Sequence, residues 1–215
     1  MDLQALPLDT PGLLAMAAAL GWASGLRLYA VVFLVGAAGR WGGVVWPEGL
    51  QALQHPAVLA ASGALMAVEF LADKLPWVDS VWDMANSLLR VPAGAALAAA
   101  AMGADGASWG VVAALMGGTL AATSQAAKTT TRAAINTSPE PFSIWGASLL
   151  EDGLVVGALW LAYQHPLVFA LALLVTVLLM WLVTWSLFRF LRAAVRRVRV
   201  WLLALPRRHE CSPKS

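Results

Sequence analysis

Glu69, Asp73, Lys74, Asp79, Asp83 and Arg90 all fall inside one stretch, EFLADKLPWVDSVWDMANSLLR, at residues 69–90. Elsewhere the chain is sparing with charge, since only 12% of its residues are Asp, Glu, Lys or Arg. Glu69 precedes Asp73, and Asp79 precedes Asp83, by one helical turn, so each pair shares a helix face. Two carboxylates on one face can pass a proton, hold a small cation or ligate Mg²⁺. Asn86 and Arg90 continue the spacing of Asp79 and Asp83 into a single polar stripe.

Two further groups stand in the second half of the chain. KTTTRAAIN spaces Lys128, Arg132 and Asn136 as successive turns of a helix, a basic stripe able to meet an anionic substrate or a lipid headgroup. SLLEDGLVVG sets Glu151 and Asp152 side by side in an apolar run. Adjacent helical residues lie about 100° apart, so at least one of the two must face a polar interior. Arg27, in GWASGLRLYAVVF, follows Gly21-xxx-Gly25, a small-residue pair suited to close helix packing.

The elements that carry these residues belong in lipid. Of the 215 residues 60% are hydrophobic, 11 are Trp, and mean hydropathy is +0.72, beyond the balance of a soluble domain. Six helices are expected at 12–36, 56–74, 79–103, 108–128, 143–163 and 166–190, because a span needs about 20 largely apolar residues. The third has a short apolar part, VPAGAALAAAAMGA. It either spans with its polar first half sheltered by protein or is broken and re-entrant. The expected fold is an all-α polytopic transmembrane helix bundle, one domain over 1–190 followed by a basic amphipathic cytoplasmic tail over 191–215. HPAVLAASGALM echoes HPLVFALALLVT, and SVWDMANSLLRVPAGA echoes SIWGASLLEDGLVVGA, which admits two inverted three-helix halves as in many transporters.

Basic residues set the orientation. Arg189, Arg192, Arg196, Arg197, Arg199, Arg207, Arg208 and Lys214 all lie at or beyond the end of the last span, placing the C-terminus in the cytoplasm, and six spans place the N-terminus there too. The helical spacing of the first of these suits anionic lipids at the tail. MDLQALPLDTPG has no basic n-region, so the first apolar run is expected to stay in the mature protein. A lone Cys211 gives no internal disulfide, and no cofactor motif or Cys/His zinc pattern occurs. His55 and His165, each in HP, are expected to open helices. Expected partners are the bilayer and a small ion or small-molecule substrate, without nucleic acid; a homo-oligomer is left open.

Depth then gathers the charges. At about 1.5 Å per residue, Glu69 lies about 9 Å, and Glu151 with Asp152 about 12 Å, from the cytoplasmic ends of their helices. Asp73, Asp79, Asp83, Asn86, Arg90, Lys128 and Arg132 fall on the same side, so the second to fifth helices share one charged layer in the inner half of the bundle. Arg27 is expected apart, nearer the outer face. Acids Glu69, Asp73, Asp79, Asp83, Glu151 and Asp152 outnumber bases Lys74, Arg90, Lys128 and Arg132 by two, favouring a proton- or cation-coupled transporter or channel-like protein. The alternatives are a metal-dependent enzyme acting on a lipid phosphate, with the carboxylate pairs on Mg²⁺ and Lys128 and Arg132 on phosphate, or a scaffold whose charges only pair helices.

EFLADKLPWVDSVWD followed by RVPAGA, KTTTRAAINTSPEP and SLLED resembles an uncharacterised, mainly bacterial membrane family, domain-of-unknown-function family 4126, over most of residues 12–190. The resemblance implies an integral membrane protein and supplies no activity. Glu69, Asp73 and Lys74 are also similar to the E-x-G-D-K signature of cation/proton exchangers, with different spacing and no Gly.

Overall fold

The structure is a computed structural model, described over residues 9–103, 107–136 and 141–204; some side chains in those ranges, including that of Asp79, lie outside the description. Each long apolar run is a helix: α1 Thr10–Arg40, α3 Pro56–Ala72, α4 Pro76–Ala101, α5 Ala107–Ile135, α6 Pro141–Gln164 and α7 Pro166–Ala204. A short α2, Glu48–Gln51, and a 3₁₀ turn, Ala52–Gln54, precede α3. No strand occurs among the described residues.

Local chemistry sets the starts. Asp9 Oδ1 accepts from the Gly12 amide at 2.9 Å, and His55 Nδ1 accepts from the Ala57 amide at 3.2 Å, each satisfying an amide that a helix start leaves unpaired. Proline opens α3, α4, α6 and α7, where its missing N–H costs nothing.

This is a membrane helix bundle. α1, α5, α6 and α7 are long and apolar enough to cross a bilayer, and the segment Glu48–Gln54 joins α3 through a bend of 70°. Burial separates their roles: 78% of the apolar window of α1 is buried inside the protein, against 6% for α7. α1 is therefore the centre of the bundle, and α7 faces lipid.

α4 is continuous from Pro76 to Ala101, with Pro92 accommodated inside it. Of the two alternatives for this helix the unbroken one holds, and a break occurs instead in α1, at Arg27, whose φ of −145° and ψ of 83° are not helical. Its two arms, 10–26 and 28–40, run in opposite senses. Along the first arm, Gly21 presses on Gly117 and Gly25 on Ala121 and Ser124 of α5, while Lys128 reaches Leu26; this arm runs parallel to α5. α4 lies antiparallel to α5, with Ala98 against Gly117 and Arg90 on Gln125. Along the second arm Arg27 meets Asp73, Phe33 meets Gly63 and Gly36 meets Leu59, so this arm runs antiparallel to α3 and back toward its start. At its far end Gly36 touches Leu53, while Gly49 touches Ala100 at the end of α4.

Helix α1 is thus a hairpin whose apex is Arg27. The first of the last three long helices, α5, has no break like that of α1, so the two halves differ in their first element. α3 to α7 alternate in direction, so both ends of α1 lie at the end of the bundle where α3 begins, and α7 leaves at the other. Thr10 and Ala204, the outer limits of the described helices, therefore stand at opposite ends, against the expectation that the first and last helices begin and end on one side. α7 also continues unbroken through the basic residues to Ala204, a length of about 58 Å at 1.5 Å per residue against a hydrocarbon core of about 30 Å. Its last turns must project beyond the core. Residues 205–215 of the expected tail lie outside the described residues.

Between helices, lipid supplies no hydrophobic drive, so close contact of small residues holds them. Gly21, Gly25, Gly94 and Gly117 meet across α1, α4 and α5, where any Cβ would strike a neighbouring backbone or side chain.

Candidate functional site

The apex of α1 sits in a buried layer of ions. Arg27 Nη2 lies 2.7 Å from Asp73 Oδ2, its Nε lies 2.7 Å from Asp152 Oδ1, and Nη2 donates to Ser148 Oγ at 2.8 Å. Arg90 bridges Glu69 at 2.7 Å and Asp83 at 2.8 Å, and donates to Gln125 Oε1 at 2.8 Å. Lys128 Nζ stands among Asp73 at 3.7 Å, Asp83 at 3.3 Å and Glu151 at 3.3 Å. Arg132 reaches Asp73 at 3.4 Å and Glu151 at 3.2 Å. One network therefore ties α1, α3, α4, α5 and α6 together.

Helix register explains the convergence. Asp83, Asn86 and Arg90 share the inner face of α4 and are buried, as are Lys128 and Arg132 on α5 and Glu69 with Asp73 at the end of α3. Asn86 Oδ1 accepts from the Tyr29 hydroxyl at 2.7 Å, and its Nδ2 donates to the Trp82 carbonyl at 2.8 Å, fastening α4 to the second arm of α1. The polar half of α4 is sheltered by protein, the condition under which it can lie in a membrane.

Three expectations need correction. Arg27 belongs to the layer and is 1% exposed; a straight helix would have carried it toward the far side, and the hairpin brings it back. Lys74 does not join: its Nζ lies over the Phe70 ring, 2.9 Å from the centroid, and donates to the Phe70 carbonyl. Glu69 and Asp73 do not form a ligand pair, because one turns to Arg90 and the other to Arg27. Among the described residues no group of three His, Cys, Asp or Glu is placed to hold a metal ion. Asn136 closes α5, with its backbone amide on the Arg132 carbonyl at 2.9 Å, and the Asp79 side chain lies outside the described residues.

The described layer holds Glu69, Asp73, Asp83, Glu151 and Asp152 against Arg27, Arg90, Lys128 and Arg132, so acids exceed bases by one (5 − 4). Glu69 Oε2 is buried without a hydrogen-bond partner, although Oε1 of the same carboxylate is held by Arg90. A buried acceptor left open is costly unless something occupies it. Such a layer can hold helices rigidly, and can also take up one proton or cation.

Sequence reasoning also missed Ser148, Gln125 and Tyr29, each of which holds a member of the network. Polar residues one turn from a charge, as Ser148 from Asp152 and Gln125 from Lys128, were the available signal.

A family model described as a domain of unknown function, DUF4126, matches residues 14–187. The chain belongs to the DUF4126 family. The match contains every member of the ion layer, from Arg27 to Asp152, and the DUF4126 region ends before the basic turns of α7. No curated protein and no solved structure is recognisably similar. Membership gives the architecture no assigned activity, so chemistry must be argued from the layer itself.

Proposed function

We propose that this DUF4126 protein is a transporter or channel-like protein of the cytoplasmic membrane, with its C-terminus in the cytoplasm, that moves a proton or small cation through the ion layer. The observation that carries this reading is the break at Arg27. It sets the C-terminal end of one helical arm and the N-terminal end of another inside the protein, beside ionised side chains. Broken helices with buried ends recur at transporter ion sites, because the freed backbone groups and end dipoles bind charge. The excess of one acid and the open Glu69 oxygen favour a positive occupant over an anion. Site residues on this reading are Arg27, Glu69, Asp73, Asp83, Arg90, Lys128, Arg132, Glu151 and Asp152, with Asn86 positioning Tyr29. The basic turns after the last apolar stretch support the sidedness, and on this reading the start of α1 at Thr10 faces the outer side.

Purified protein in liposomes, challenged in turn with proton, Na⁺ and K⁺ gradients, tests the proposal. Ion-selective flux above protein-free liposomes is expected; folded protein that adds none in any series would overturn it.

A second reading, a scaffold subunit, is favoured by one observation: each of the four buried bases already has a carboxylate partner. It predicts folded protein and no flux. The lipid-phosphate enzyme has no comparable support, because the basic side chains meant for phosphate are held by Asp73, Asp83 and Glu151.

A further inference from the structure

The ion layer is not closed on all sides. α3 and α6 flank the second arm of α1 and scarcely touch each other, leaving a crevice of about 400 Å³ between them. Leu34 forms its floor, Met66 and Phe70 one wall and Val156 the other, and Arg27 with Asp152 closes its polar end. Phe70 and Val156 are also exposed on the outer surface, so the crevice opens sideways toward lipid.

We propose that this crevice binds an amphiphile with a protonated primary amine, its chain against the apolar walls and its ammonium on Asp152. Four observations point to that chemistry. The walls are apolar, and they suit a hydrocarbon chain. The volume lies within the range of small-ligand sites, about 300–1,000 Å³. Asp152 is the open carboxylate of the layer: its side chain is 34% exposed, against 12% for Glu151, 6% for Asp83 and 0% for Glu69 and Asp73. Lastly, Arg27, the only base among the described residues that line the crevice, is already held by Asp73, Asp152 and Ser148. A phosphate headgroup would meet an exposed carboxylate there, with Arg27 already held and the Lys74 ammonium turned onto the Phe70 ring, whereas an ammonium donates hydrogen bonds to Asp152. The source is either a free long-chain amine or an aminated lipid headgroup, which share this recognition.

Binding is testable without any assay of flux, and so stands or falls separately from the transport reading. Full-length protein in a non-ionic detergent is titrated with dodecylamine, dodecanol, dodecyl phosphate and butylamine, and read by thermal shift and native mass spectrometry. Saturable binding of dodecylamine is expected, at least about tenfold tighter than the other three, each ten-fold being about 1.4 kcal/mol. Asp152→Asn should cost at least that tenfold. Val156→Trp, which fills one wall and leaves every charge in place, should block binding while the protein still melts cooperatively, a control if the Asn variant fails to fold. Retention of phosphatidylethanolamine over phosphatidylglycerol from mixed nanodiscs assigns the headgroup as source; binding of dodecylamine alone assigns the free amine. Equal binding of dodecanol or dodecyl phosphate, or unchanged dodecylamine affinity in Val156→Trp, would overturn the proposal.

Discussion

Lys128 Nζ donates to the Leu26 carbonyl at 3.1 Å. Leu26 ends the first arm of α1, immediately before the non-helical Arg27, and a helix end leaves carbonyls without intrahelical partners. A cation at that end satisfies one of them and matches the helix dipole. Ser124 Oγ adds a bond to the Trp22 carbonyl at 2.7 Å one turn earlier. The break is therefore held from α5, by side chains 102 residues away in sequence from the carbonyls they bond.

Replacing that cation should be worse than removing a neutral hydrogen bond beside the layer. Lys128→Met leaves Leu26, Asp73, Asp83 and Glu151 short of one shared positive charge, and removing a member of a buried ion group costs about 3–5 kcal/mol. Loss of folded protein, or a large fall in detergent melting temperature, is expected. Tyr29→Phe, which removes a single neutral bond to Asn86, should cost about 1 kcal/mol. A Lys128→Met protein as stable as the parent would mean that the layer carries no structural charge pairing.

The glycines divide into two classes. An added Cβ at Gly25 runs into Ala121 and Ser124, and at Gly21 into Gly117, so Gly25→Ala and Gly21→Ala should each destabilise by about 1–3 kcal/mol through forced backbone shifts. Gly153 and Gly157 have open space at the same position, and Ala there should change stability by no more than about 0.5 kcal/mol. Melting temperatures of the four single variants check the contrast.

The hairpin makes a topological forecast that a single crossing does not. With Cys211→Ser as background, Cys placed at Thr10 and at Trp41 should be labelled from the same side of the membrane, and Cys at Arg192 only from the opposite one. All three positions are exposed. Labelling of positions 10 and 41 from opposite faces would show that α1 crosses once.

Glu69 separates transport from scaffolding. Gln at this position keeps an acceptor for Arg90 and a similar volume, and Arg90 retains Asp83 and Gln125, so the protein should fold with a modest loss of melting temperature. Removing the titrating oxygen should nevertheless abolish coupled flux or change its dependence on external pH. Normal flux through a folded Glu69→Gln protein would take this carboxylate out of the ion path.

Much of the bundle can be read from the sequence because membrane helices obey two local rules. Apolar run length locates them, and proline marks where α3, α4, α6 and α7 begin. The shared depth of Glu69, Asp73, Asp83, Arg90, Lys128, Arg132, Glu151 and Asp152 is legible for the same reason, since rise per residue converts position into height. That arithmetic assumes each helix is straight. It fails for Arg27, where one residue leaves helical geometry and α1 turns back.

The sequence carries a partial signal of that turn. α1 has 31 residues, about 46 Å if straight, longer than the hydrocarbon core of about 30 Å, and it has an arginine near its middle. Neither feature says bend, tilt or hairpin, because the choice depends on partners that local sequence does not contain: Gly117 and Ala121 to receive the first arm, Lys128 to cap it, and Asp73 with Asp152 to hold the guanidinium. By itself, then, the sequence determined an all-α membrane bundle with its charges at one depth. Tertiary structure alone decided that Arg27 joins them, that Lys74 turns onto the Phe70 ring, and that Thr10 and Ala204 lie at opposite ends of the bundle, because a reversal of the backbone is stabilised by packing and ion pairing between helices and not by the residues at which it occurs.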